Sequence, residues 1–156
     1  MALNTGSDLS IKVFVGRTHT FEDGSGTFSP TTSTLIIGRT DAVLVDAQHI
    51  REDVQSLCDL IAQTAKRLTT IYVTHGHADH WYGISELARR FPSARAVATA
   101  DVVEYIENTK AVAAQRWRTM FGNRVVTAER FPEIIKGPIE LDGHKLYKSA
   151  VSRCNK

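Results

Sequence analysis

The sequence predicts an α/β protein built on a mixed sheet, and three observations carry that expectation. Short β-branched runs alternate with stretches whose apolar residues recur at helical spacing. Two early runs are joined by a tight turn, whereas later ones are separated by whole helices, so antiparallel and parallel pairing should coexist. One predicted strand runs straight into His75-Gly76-His77-Ala78-Asp79-His80, at the strand end where open α/β sheets collect ligands.

Ile11 to Val15 alternates and is β-branched, which predicts the first strand. Thr20 to Pro30, with Asp23-Gly24-Ser25-Gly26, reads as a loop or wide hairpin turn. His19 at its start reads as a surface residue. Thr34 to Ile37 and Ala42 to Val45 form a strand pair around Gly38-Arg39-Thr40-Asp41. Asp46 closes the second of them. It either turns the chain through local backbone bonds or orients a metal-bound imidazole from behind, and the residues alone leave both open. His49 falls in the loop that follows.

Ile50 to Arg67 is the clearest helix, with Val54, Leu57, Cys58, Ile61, Ala65 and Leu68 on one face. Leu68 to Val73 is the strand that delivers the histidine run. Ile84 to Arg90 is a short helix that stops at Phe91-Pro92, because proline disfavours helix in the residue before it. Ala94 to Thr99 is a further strand. Asp101 is placed to cap a helix running to about Phe121, and Gly122-Asn123 ends it. Beyond Arg124 the pattern thins to strand pieces at Ile134-Ile135 and Ile139 to Leu141. An Asp142-Gly143 turn then leads into His144 to Tyr147. No repeat, low-complexity tract or linker interrupts residues 1–156, which read as a single domain.

A chain of 156 residues suffices for one core, hiding about 70% of the surface its unfolded form exposes. Hydrophobic residues make up 42% and charged residues 23%, as in ordinary soluble domains. A net charge of +2 without a Lys/Arg cluster argues against nucleic-acid and membrane-surface partners. Arg116 and Arg118 flank Trp117, and on a helix they read as a solvated edge. Cys58 lies on the helix stripe and Cys154 in a polar tail, without C-x-x-C spacing. That excludes a disulfide framework and points to a reducing, cytoplasmic compartment. Neither a signal-peptide pattern nor a run of ~20 apolar residues is visible.

Three imidazoles and a carboxylate are borderline ligands suited to zinc, with iron or manganese as alternatives. On an extended segment residues i and i+2 face the same way, so His75 and His77 can grip one ion. Asp79 and His80, past a bend, can face a second. Two neighbouring ions can hold a hydroxide between them as a nucleophile.

Thr74 to His80, preceded by Val43-Leu44-Val45-Asp46 and followed by Gly83 and Phe91-Pro92, resembles the metallo-β-lactamase-fold hydrolase superfamily, over about residues 11–147. The resemblance implies a four-layer αββα sandwich and metal-dependent hydrolysis of a small-molecule ester, lactone, thioester or amide. It makes His75 and His77 ligands of a first zinc, and Asp79 and His80 ligands of a second. Asp79 is also the residue that orients the nucleophile, and the orienting role is favoured for Asp46. A complete domain of that family adds a His after a later strand, a metal-bridging Asp and a final His. His144, Asp101 and Asp142 lack the matching context. The expectation is therefore a metallo-β-lactamase-like domain shortened on its C-terminal side, an incomplete sandwich with two protein ligands per metal. Its apolar sheet face is then open to self-association. The alternative is an inactive remnant that binds metal weakly or serves as an interaction fragment.

Overall fold

Alternation along the early strands sorts their side chains onto two faces, and the rest of the architecture follows from that sorting. The computed structural model describes residues 9–148, so Cys154 and the tail from Ser149 lie outside the described residues. In chain order the elements begin with β1 (Ser10–Val15), a small hairpin of β2 (His19–Thr20) and β3 (Thr27–Phe28), then β4 (Thr32–Ile37) and β5 (Asp41–Val45). Next come α1 (Arg51–Gln63), β6 (Arg67–Tyr72), α2 (Ile84–Arg90), β7 (Arg95–Ala98) and α3 (Ala100–Phe121). The last are β8 (Glu133–Ile134) and a hairpin of β9 (Ile139–Leu141) and β10 (His144–Leu146).

Six strands form one mixed sheet in the order β1-β4-β5-β6-β7-β8. The tight turn between β4 and β5 forces antiparallel pairing, and β1 also runs antiparallel to β4. Helical crossovers carry the chain from β5 to β6, β7 and β8, and those pairs are parallel. Leu35, Ile37, Leu44 and Ile71 pack in one buried cluster with Leu57 and Ile61 of α1, Leu87 of α2, and Ile106 and Phe121 of α3. Cys58 joins this cluster as a free, buried thiol.

The opposite sheet face is treated differently. Ile36, Val43, Val45 and Tyr72 point there, and Ile139 and Leu146 of the last hairpin lie against them. Asp142 fastens that hairpin, since its carboxylate accepts hydrogen bonds from the Thr40 and Asp41 amides at 2.9 and 3.1 Å and from the Thr40 hydroxyl. Among the described residues, β9 and β10 are the strands on this side, so the four-layer sandwich is present as one sheet, its helix layer and this hairpin. Ile11, Val13 and Val15 share the face of Ile36 by register and stand 65%, 56% and 60% exposed. Among the described residues, no helix is long and apolar enough to cross a membrane.

Several boundaries move by one or two residues from the sequence-based expectation, and two differences at helix ends have a visible physical cause. The first helix ends at Gln63 rather than Arg67: the Thr64 hydroxyl donates to the Ile61 carbonyl at 2.7 Å, and Ala65 turns back with φ 54°. Leu68 fits the helical stripe and the strand alike. The strand prevails because Arg67 and Leu68 pair with Asp41 and Ala42. At α3 the capping position belongs to Thr99, in extended conformation, and Asp101 lies within the first turn. There its charge complements the helix dipole rather than closing the end.

The strand ends are held together by a close backbone approach at Gly83. Its amide donates to the Gln48 carbonyl at 2.9 Å, and a Cβ at this position would collide with the carbonyl oxygen of Ala47. That oxygen belongs to buried main chain and has no rotamer to escape into. Gly83→Ala should therefore cost at least about 2 kcal/mol, as overpacking against a fixed wall does. A fall in the urea midpoint at unchanged slope is the expected reading, and an unaltered midpoint would show that the loop yields.

Candidate metal centre

The site is assembled where β5 and β6 end side by side. Asp46 follows β5 with φ 64°, a left-handed conformation that Asp tolerates better than most residues. Its amide donates to the Tyr72 carbonyl at 2.9 Å, which locks the two strand ends together. The carboxylate then faces the loop after β6. Oδ1 accepts from the Thr74 amide at 2.9 Å, and Oδ2 accepts from the Thr74 hydroxyl at 2.8 Å and from His80 Nδ1 at 2.8 Å.

Past Thr74 the chain forms an open loop and then a single 3₁₀ turn, Ala78–His80. The Trp81 indole donates to the Gly76 carbonyl at 3.0 Å, and the Ala47 amide to the His80 carbonyl at 2.8 Å. The loop is thus tied to the fold at both ends. Ring centroids of His75 and His77 are 4.8 Å apart, and those of His75 and His80 are 4.0 Å apart. Asp79 Oδ2 accepts from the Thr31 hydroxyl at 3.0 Å and stands 3.1 Å from His80 Nε2. All five residues singled out from the sequence, Asp46, His75, His77, Asp79 and His80, therefore meet in one patch.

The hydrogen bonds set the charge states. His80 is gripped by a carboxylate at each ring nitrogen. Burial disfavours its cation, but the bonds to Asp46 and Asp79 outweigh this and raise its pKa to about 9. For Asp79 burial also opposes charge, yet His80 and the Thr31 hydroxyl pull its pKa down to about 2. His75 is shifted the other way: burial first, then the neighbouring His80 and His77, lower its pKa and keep it neutral. Thr74 Oγ1 lies 2.9 Å from His75 Nδ1. Its one hydrogen goes to Asp46, because a carboxylate can only accept. The hydroxyl must then accept from His75 Nδ1–H, which leaves His75 Nε2 as a bare lone pair.

The donor set suits a borderline first-row ion in kind, and the bare Nε2 of His75 is the form of imidazole that binds metal. Placement is less complete. Among the described residues, no three His, Cys, Asp or Glu side chains are placed to hold one ion. The fit is to pairs of donors, not to a full coordination sphere.

Sequence reasoning missed a second layer behind this patch. His19, expected at the surface, is buried, and its Nε2 lies 2.6 Å from Asp53 Oδ2. The Arg17 amide donates to the same carboxylate oxygen at 3.1 Å. The burial arises because the β2–β3 hairpin folds onto α1, a contact between segments that share no local signal. His49 is in a loop, as expected, but it is fully buried. Its ring meets those of Trp117 at 4.7 Å and of Phe28 and Phe121 at 5.4 Å. Gln48 donates to the Thr31 carbonyl at 2.8 Å and so braces the residue that holds Asp79.

With fold and site in view, the comparisons agree. A sequence model of the metallo-beta-lactamase superfamily matches residues 26–150, a span that includes the whole histidine run, and the chain belongs to that superfamily. Similar solved structures include the metallo-beta-lactamase IND-7, with 21% identity and a TM-score of 0.54 over 87% of this chain and 52% of that one. TMB-1 has 20% identity and a TM-score of 0.55 over the same shares. DIM-1 metallo-beta-lactamase exposed to ceftazidime has 20% identity and a TM-score of 0.51, over 69% of this chain and 46% of that one. Identities this low speak for the fold alone. The chain spans about half the length of these structures. No curated protein matches it.

Burial pushes the pKa of His49 down to about 4. In the unfolded chain an imidazole at its ordinary value takes up a proton that the folded chain refuses. Stability present above about pH 6.5 is then lost as pH falls toward 4, by up to about 3 kcal/mol. His49→Phe should flatten this dependence in urea unfolding followed from about pH 7 to pH 4. Equal slopes in the two proteins would exclude His49 as the buried neutral base.

Proposed function

We propose that this chain carries part of the dinuclear centre of a metal-dependent hydrolase acting on a small-molecule ester, lactone, thioester or amide. The observation that carries the reading is three contacting imidazoles and an ionised Asp79 on one strand-end loop, braced from behind by Asp46. His75 with His77, and Asp79 with His80, are the residues that would hold the ions. Zinc is the first expectation and iron or manganese the alternatives. A bound ion supplies Lewis acidity toward the scissile carbonyl and lowers the pKa of water.

The chain's own groups do the rest. Asp79 stays ionised down to about pH 2, and the Thr31 hydroxyl fixes one of its oxygens. It is the acceptor that orients an attacking water and receives its hydrogen bond. Asp46 acts through Thr74 and His80 and never meets the substrate, so it is a positioning residue. A cytoplasmic site of action belongs to the same proposal, supported by a free, buried Cys58. The second reading is a non-catalytic metal-binding module or interaction fragment. The observation that favours it is that no three donors converge among the described residues.

Purified chain loaded with zinc and tested on esters and lactones separates the two. On the hydrolase reading, Asp79→Asn lowers kcat at least about 100-fold, and Asp46→Asn weakens metal binding about 10- to 100-fold. His75→Ala with His77→Ala abolishes both. Absence of bound metal by elemental analysis together with absence of turnover would sink that reading.

We also propose that the face of Ile11, Val13 and Val15 supports self-association. Sedimentation should then depend on concentration, and Val13→Lys should abolish the dependence. A monomer at every concentration argues against it.

A further inference from the structure

A cavity of about 460 Å³ opens beside the histidine run, within the size range of small-molecule sites. His77 and Asp79 line it from the loop after β6, and α3 contributes Val112, Arg116, Trp117 and Met120. On a helix, residues 112, 116 and 120 follow one another at i, i+4 and i+8, along one stripe. Arg116 is therefore a cation set between two apolar side chains. Arg118, its partner in sequence, lines a separate depression with Tyr82 and Phe131 and donates to Asn123 at 3.4 Å.

Arg116 differs from most arginines of this chain in its company. Arg51 pairs with Glu86, Arg89 with Glu129, Arg95 with Glu133 and Arg124 with Glu22. Among the described residues Arg116 has no acidic partner. A planar guanidinium without a counter-charge, set in an apolar rim, recognises a carboxylate through two parallel hydrogen bonds. At the other side of the same cavity the Asp79 carboxylate is already engaged by His80 and the Thr31 hydroxyl, so Arg116 is the lining cation without an acidic partner. The anionic end of a bound molecule therefore goes to Arg116, and its remainder extends along the cavity toward the histidine run.

Resting on the hydrolase reading for the substrate's identity, we propose that this cavity takes an acyl compound with an apolar body and a free carboxylate. Arg116 holds the carboxylate, and Val112, Trp117 and Met120 pack the body. Arg116 sets substrate orientation and specificity and takes no part in bond breaking.

Binding tests this without turnover. The full chain, held in EDTA so that no metal can capture the ligand, is titrated by calorimetry with 4-phenylbutanoate and with its neutral amide. The acid should bind roughly tenfold more tightly, as expected for a charge-assisted pair at a partly exposed rim. Arg116→Gln should bring the ratio to about one while leaving amide affinity unchanged, and Arg116→Lys should restore part of it. Arg116 is exposed, so the variants should keep the wild-type circular dichroism and urea midpoint. Equal binding of acid and amide by the wild type, a ratio that survives Arg116→Gln, or no saturable binding of either compound would each overturn the proposal. Discrimination that persists in a chain without hydrolysis supports this proposal while failing the hydrolase reading. Turnover without discrimination does the reverse.

Discussion

The Asp46 carboxylate is the junction on which the site's geometry rests. It lies between two strand ends that main-chain pairing has already brought side by side, and it spends its oxygens on Thr74 and His80. Through Thr74 it fixes the tautomer of His75, and through His80 it reaches Asp79. Thr31 then holds Asp79 from the β3–β4 side, and Gln48 holds Thr31. The members of this chain of hydrogen bonds come from three separate segments: the stretch after β5, the loop after β6 and the residue before β4. A buried network of this kind specifies one arrangement only while every member is satisfied.

The network also explains why three histidines in contact do not simply repel one another. His80 carries the charge, because two carboxylates more than offset its desolvation. His75, pressed against it, stays neutral. Behind them His49 is neutral for a different reason: its ring is enclosed by Trp117, Phe28 and Phe121, and burial outweighs the pull of the nearby Asp79 and Asp53 carboxylates. Imidazoles of one chain thus take distinct roles from burial and partners alone.

The two faces of the sheet are unequal in the same physical sense. Helices cover one with a continuous apolar cluster, while the other receives a short hairpin held by Asp142. Where the hairpin does not reach, β1 presents isoleucine and valine to solvent. These uncovered β-branched side chains on an edge strand are the surface on which the proposed self-association rests. The metal-type patch sits at the sheet's end rather than on either face, so its local structure is set by the covered side.

Much of this protein was legible along the chain because it depends on local spacing. Alternation at Ile11 to Val15 and Thr34 to Ile37, the tight turn at Gly38, and the helical stripes through Leu57 and Ile106 follow from periodicity. So does the placement of His75, His77, Asp79 and His80 at a strand end, which is a matter of neighbours in sequence. What only the tertiary structure decided are relations between distant segments. The first helix stops at Gln63 because β6 must begin early enough to pair with β5. His19 is buried against Asp53 and Thr31 reaches Asp79 across separations of 34 and 48 residues, which no local pattern records. The same holds for Arg116, read from sequence as a solvated helix edge, which the packing of α3 brings to the rim of a cavity shared with His77 and Asp79. Periodicity determines what a segment becomes, whereas burial and charge pairing depend on which other segment arrives beside it.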